Sequence, residues 1–225
     1  ILPGLIASQA AAFEIITKED IVQKTVMKDD FIKTADNFIV LMDTSQSMNH
    51  RWQKDSTQSK LEVAKEILIN GEQRLPDLGY NAALYEFSPF AALYPMGPLD
   101  KEKFAQAINA IKADAEGATF LPRALRDLEP VLQGASGKTV VFIFSDGTYT
   151  YNRVTKKRPL DEAKPLVDKY DVCLYLISSA TTDKAGKLLD DMAALNECSR
   201  VVPFDALYQN PVWGQGVLFI VKSTV

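Results

Sequence analysis

Two carboxylates, Asp43 and Asp146, each stand close behind an apolar run, and hydroxyl side chains crowd around both. The first run reads Phe38-Ile39-Val40-Leu41-Met42-Asp43-Thr44-Ser45-Gln46-Ser47-Met48. Asp-x-Ser-x-Ser places hard oxygen atoms at alternate positions of a tight loop, which suits Mg²⁺ or Ca²⁺ and not a soft metal. The second run, Thr139 to Phe144, ends in Ser145-Asp146-Gly147. Between the two lies Thr119, in the loop Glu116-Gly117-Ala118-Thr119-Phe120 ahead of a helical pattern. The chemistry on offer is capture of a cation by oxygen. The competing explanation is local: Ser and Thr cap helices and Asp fills turns, so the same residues also serve loops that merely hold themselves together.

The surrounding elements decide whether these residues can meet. Phe38 to Met42 is apolar at every position and too short for a free helix, as expected of a strand buried on both faces of a parallel sheet. Lys60 to Leu75 has Leu61, Ala64, Leu68 and Leu75 on one helical face, closed by Pro76 and Gly79. Tyr80 to Phe87 is a strand, and Ala91 to Tyr94 a short edge strand bounded by Pro89 and a Pro95–Pro98 turn. Asp100 caps a helix carrying Phe104, Ala107, Ile108 and Ile111, and Leu121 to Leu132 forms one more with Pro122 in its first turn. Leu160 to Tyr170 is helical despite Pro165, Val172 to Ile177 is a buried strand, Asp183 to Asn196 a helix and Arg200 to Pro203 a last short strand. The run Val217 to Val221 suits helix or strand equally. This alternation gives an α/β fold: a doubly wound, mostly parallel sheet flanked by helices on both faces. Right-handed crossovers bring the loops after the strands to one edge, so Asp43 and Asp146 share a crevice if their strands are neighbours.

Composition narrows the field. The 225 residues suit one α/β domain, with an N-terminal arm or processed leader remnant over 1–32 and the domain over 33–225. Residues 1–12 are apolar, small and uncharged, which fits the tail of a secretory signal, a linker or an arm packed on the domain. A net charge of -4 argues against a nucleic-acid partner, and no apolar run is long enough to span a bilayer. One histidine and two cysteines nearly exclude structural zinc. No G-x-S-x-G elbow accompanies His50, which removes the serine-hydrolase reading.

Asp43-x-Ser45-x-Ser47, the lone Thr119 and Ser145-Asp146-Gly147 resemble the three parts of the metal-ion-dependent adhesion site (MIDAS) of von Willebrand factor type A (vWA) domains. The resemblance covers roughly residues 35–205 and implies the Rossmann-like fold of that family. It implies that Ser45, Ser47 and Thr119 offer hydroxyl oxygens to a divalent cation, Mg²⁺ first and Ca²⁺ or Mn²⁺ next. Asp43 and Asp146 would then act directly or through water, with one position left for an acidic group of a protein partner. Gln46 stands where many members have glycine. Lys33 to Phe38, Gly137 to Val140 and the two cysteines resemble bacterial envelope proteins in which this domain precedes an OmpA-like peptidoglycan-binding domain. That resemblance implies a periplasmic or outer-membrane-associated setting and a peptidoglycan link through a further domain.

Around the loops, Tyr149 and Tyr151, with His50, Arg51 and Trp52, are candidates for a partner-binding rim or for ordinary packing. Cys173 starts one strand and Cys198 just precedes the next, which allows a disulfide if those strands are adjacent, or two reduced thiols. The functional expectation is a non-enzymatic, metal-dependent binding module. The alternatives are a Mg²⁺-dependent phosphoryl-transfer hydrolase with Asp43 as nucleophile, weakened by Ser45 where a second Asp is usual, and a structural domain with a vestigial site.

Overall fold

The structure, a computed structural model, describes residues 30–87, 89–114, 117–151, 153 and 156–222. The chain begins with β1 (Phe31–Lys33) and β2 (Asn37–Met42), passes through a 3-10 turn (Gln46–Asn49), and continues into α1 (Lys60–Arg74), β3 (Asn81–Phe87), β4 (Phe90–Pro98) and α2 (Lys101–Ala110). It goes on through α3 (Leu121–Asp127), α4 (Glu129–Gly134), β5 (Thr139–Ser145), α5 (Pro159–Lys169) and β6 (Val172–Ser178). It ends with α6 (Asp183–Ala193), β7 (Arg200–Pro203), α7 (Phe204–Gln209) and β8 (Phe219–Val221).

Six strands form the central sheet in the order β4-β3-β2-β5-β6-β7, parallel except for β4. Every residue of β2 and β5 is buried, as their unbroken apolar runs require. Strand alternation splits β2 between two cores. Phe38, Val40 and Met42 face Leu61, Ile67, Phe104 and Trp213, while Ile39 and Leu41 face Leu121, Leu125, Leu166 and Met192. One core lies under α1, α2 and α7, the other under α3, α5 and α6. The doubly wound α/β reading therefore holds.

Several boundaries move for identifiable reasons. β4 runs through Pro95 to Pro98 instead of stopping at a turn, because it is an edge strand whose register shifts opposite Ala82 and Leu84, and a bulged edge tolerates proline. The single helix expected from Leu121 to Leu132 is two helices meeting at Leu128, where Pro130 cannot supply a main-chain donor. α7 carried too little periodicity to be recognised. The ambiguous Val217–Val221 run yields β8, which pairs antiparallel with β1. Since β1 starts at Phe31, the ribbon includes two residues of the expected arm; residues 1–29 of that arm lie outside the described residues.

Two local features hold the frame. Gly71 in α1 is where Trp213 docks: a Cβ there would fall on the indole, so only glycine admits the ring that packs on Phe38 and Phe142. Cys173 and Cys198 form the disulfide, with Cα atoms 5.4 Å apart, as the adjacency of β6 and β7 permits. Closing a loop of 25 residues stabilises the fold by about 3 kcal/mol on a chain-entropy account.

Candidate metal centre

The winding of the sheet makes the site. The chain leaves β2 toward β3 and β4, then returns to the other side of β2 to lay down β5, β6 and β7. The reversal falls between β2 and β5, which pair directly in parallel from Asn37↔Thr139 to Met42↔Phe144. Ligands of open α/β sheets sit beyond the carboxyl ends of strands at such a reversal. Asp43 and Asp146 are both there, and the Asp43 N–H donates to the Phe144 carbonyl at 2.9 Å.

Hydrogen bonds tie three loops together over this point. The Gln46 N–H donates to the Gly117 carbonyl at 3.0 Å and the Asp114 N–H to the Thr44 carbonyl at 2.8 Å. The Thr150 N–H donates to the Thr119 carbonyl at 2.8 Å. The Thr119 loop is thus pinned to the loops of both aspartates. Thr119, Asp43, Ser45 and Asp146 are buried, and Ser47 is half-buried with its Oγ 3.2 Å from that of Ser45. Gln46 needs no left-handed backbone, so a side chain fits where the resemblance expects glycine. It points to solvent.

The two carboxylates have opposite surroundings. Asp43 Oδ1 accepts from the Ser45 N–H at 3.0 Å and Oδ2 from the Ser145 hydroxyl at 2.9 Å. Those are neutral donors, and burial prevails over them: the carboxyl is pushed up to about 6, with a small further push from Asp146. Asp146 is also raised by burial, but Lys60 and Thr148 outweigh it and hold its carboxyl below the usual carboxylate range. Lys60 Nζ donates to Asp146 Oδ2 at 2.8 Å, and the Thr148 N–H and hydroxyl donate to Oδ1 at 3.0 and 2.6 Å. Gly147 completes this loop with φ +74°, its N–H donating to Ser145 Oγ at 3.1 Å.

These residues fit a divalent cation. Among the described residues no three His, Cys, Asp or Glu side chains gather into a metal cluster, so the donors such a cation would find are two carboxylates and neighbouring hydroxyls. That all-oxygen set suits Mg²⁺. A carboxylate buried with only neutral donors is a group that a cation would stabilise in its charged form.

The rim divides. Tyr151 is 49% exposed, whereas Tyr149 packs partly into the core with Leu160 and Val167. His50 and Arg51 are exposed. Trp52 packs against Tyr208 in a tilted ring pair with centroids 5.0 Å apart and lines a groove of about 630 Å³ with Ser178–Asp183, Lys187 and Phe204. Phe120, 40% exposed, follows Thr119 as Tyr151 follows Thr150, so each of these exposed aromatic residues is the chain neighbour of one of two hydrogen-bonded threonines. Sequence reasoning assigned no role to Phe120, Thr148 or Lys60. For Lys60 there was a signal. Ser59 and Glu62 make a capping box that fixes Lys60 as the first helical residue, where a cation opposes the helix dipole and requires a partner.

Residues 38–148 match the sequence profile of the von Willebrand factor type A domain. No curated protein matches the chain. Among solved structures it is similar to the PilB minor pilin from Streptococcus sanguinis, with 14% identity and TM-score 0.59 over 80% of this chain and 60% of that one. It is similar to the SpRpn10 VWA domain, with 14% identity and TM-score 0.55 over 80% and 94%. It also resembles the pilus adhesin SpaC from Lactobacillus rhamnosus GG, with 15% identity and TM-score 0.57 over 78% and 29%. The chain thus spans less than two thirds of either pilus protein, and at these identities the likeness is one of fold. With the profile match falling on the strands and loops that build the site, the chain carries a domain of the von Willebrand factor type A family.

Proposed function

We propose that this domain is a metal-dependent protein-binding module that captures a carboxylate of its partner. The reading is carried by the meeting of Asp43, Ser45, Ser47, Thr119 and Asp146 beyond the β2–β5 reversal. A bound divalent cation would supply the positive charge that draws in an acidic side chain. Asp43 and Asp146 would hold that cation, Ser45, Ser47 and Thr119 would add hydroxyl oxygens, and Phe120 and Tyr151 would give the partner an apolar foothold. A hydrolytic role for Asp43 is disfavoured: it is fully buried with both oxygens hydrogen-bonded, a poor presentation for a nucleophile. The disulfide and the likeness to pilus proteins favour an extracytoplasmic setting. Its finer form is the bacterial envelope, with a peptidoglycan link through a further domain, which fractionation of cells expressing the full-length protein would check.

Calorimetric titration of chelator-treated protein with Mg²⁺, Mn²⁺ and Ca²⁺ tests the reading, with Asp43→Asn as the comparison. Saturable binding by the parent and at least roughly tenfold weaker binding by the variant is expected, since the charged donor is lost. Equal binding by the two proteins would refute the site, and turnover of p-nitrophenyl phosphate with Mg²⁺ would refute the non-enzymatic assignment.

A further inference from the structure

Lys60 places a fixed positive charge inside the candidate metal centre. Its side chain is 6% exposed and that of Asp146 2%, and their charged atoms lie 2.8 Å apart. The other lysine and arginine ion pairs of the described residues have at least one partner more than a quarter exposed. Lys60 is held from both directions. The Ser59 capping box fixes its backbone, and its own N–H donates to the His50 carbonyl at 2.9 Å, which closes the loop after the Asp-x-Ser-x-Ser turn. Two buried aspartates would otherwise share one pocket with neutral donors alone. With the ammonium present, one of the two negative charges is already matched.

We propose that Lys60 tunes the site as a resident charge, lowering its affinity for a divalent cation so that the partner's carboxylate strengthens cation uptake. The inference rests on the metal-binding reading above and deepens it. A fixed positive charge bonded to Asp146 repels an incoming divalent ion in a poorly screened interior. It also keeps Asp146 charged and placed when no divalent ion is bound. The ligand carboxylate then restores the negative charge that Lys60 removes. Lys60 is a positioning residue in this scheme, acting through Asp146 and taking no part as a metal donor.

Two substitutions separate charge from hydrogen bonding. Lys60→Gln keeps a donor for Asp146 without the charge, and Lys60→Arg keeps the charge. Calorimetry with MnCl₂ alone on chelator-treated proteins should show Lys60→Gln binding roughly tenfold tighter or more, and Lys60→Arg matching the parent. Melting curves with and without millimolar MnCl₂ should show a larger metal-induced rise for Lys60→Gln than for the parent, which retains a readout if the variant is unstable without metal. Binding by Lys60→Gln alone, with none by the parent, would support the proposal. Equal or weaker binding by Lys60→Gln beside a binding parent would overturn the role of Lys60 and leave the metal centre standing. No binding by any of the three would overturn both.

Discussion

In metal-free buffer at neutral pH, Asp146→Asn should cost about 3 kcal/mol of stability, whereas Asp43→Asn should be neutral or stabilising by about 1–2 kcal/mol. In the proposed site the two aspartates would play parallel parts in holding a cation, yet their surroundings predict opposite signs. Asp146 is the counter-ion of buried Lys60, and its loss leaves an ammonium without a charge partner in an interior that cannot hydrate it. Asp43 has only neutral donors, the N–H and hydroxyl of Ser45 and the hydroxyl of Ser145, and burial pushes it up to about 6. An amide there still accepts from Ser45 and can donate to Ser145 Oγ. The pH dependence has a definite direction. The folded value lies above the unfolded 3.8, so the protonated carboxyl favours the metal-free fold below about 4, and that contribution is lost as pH rises through about 6. Asp43→Asn should remove this part of the profile. Urea denaturation of chelator-treated proteins is the measurement, and comparable losses for the two variants would show that the electrostatic division is wrong. With metal added the parent should gain stability and neither variant should gain as much.

Gly147→Ala should cost about 3 kcal/mol and weaken metal binding together. At φ +74° a side chain costs about 1–2 kcal/mol by itself. The added Cβ would also lie 2.7 Å from the Ala185 carbonyl oxygen and 3.0 Å from its carbon. Those are main-chain atoms in the first turn of α6, so relief requires moving the helix or the loop. The loop is the cheaper to move, and it carries Asp146 and Thr148. A variant that lost stability but kept full metal affinity would mean that α6 yields, and that the Asp146 loop is held by Lys60 and not by its glycine. Denaturation and Mn²⁺ titration of the same preparation distinguish the two.

The sequence shows the site's donors more readily than it shows what disciplines them. Phe38 to Met42 and Thr139 to Phe144 are legible because a strand buried on both faces is almost wholly apolar, so their ends and the aspartates behind them stand out. That these strands are neighbours is a matter of winding order, which alternation alone leaves open and the β2–β5 register closes. Lys60 was hidden by distance, since nothing in one dimension relates it to Asp146, 86 residues away. Its one local trace is a cation on the wrong end of a helix. Phe120 and Tyr151 gain meaning together only through the Thr119–Thr150 hydrogen bond. Proline reads as a stop in the sequence of the edge strand, whereas a bulge at a sheet edge absorbs it.

The β1–β8 ribbon governs how the domain bears a pull. Residues 30 and 222 are bonded to one another, the Lys222 N–H donating to the Asp30 carbonyl at 2.8 Å, and the ribbon joins β2 at its amino end, opposite the metal centre. Tension between the two flanks of the chain would open the ribbon from its outer pair, Phe31↔Val221, loading its hydrogen bonds one after another. Tension between a partner held at the metal centre and either flank runs along the strands, so the β2–β5 ladder is loaded all at once in shear. Single-molecule extension along the two axes should give a lower first rupture force for the flank-to-flank pull; equal forces would contradict the zipper geometry. A flank-to-flank pull must part the three paired residues of the ribbon before it loads the sheet that carries the proposed site.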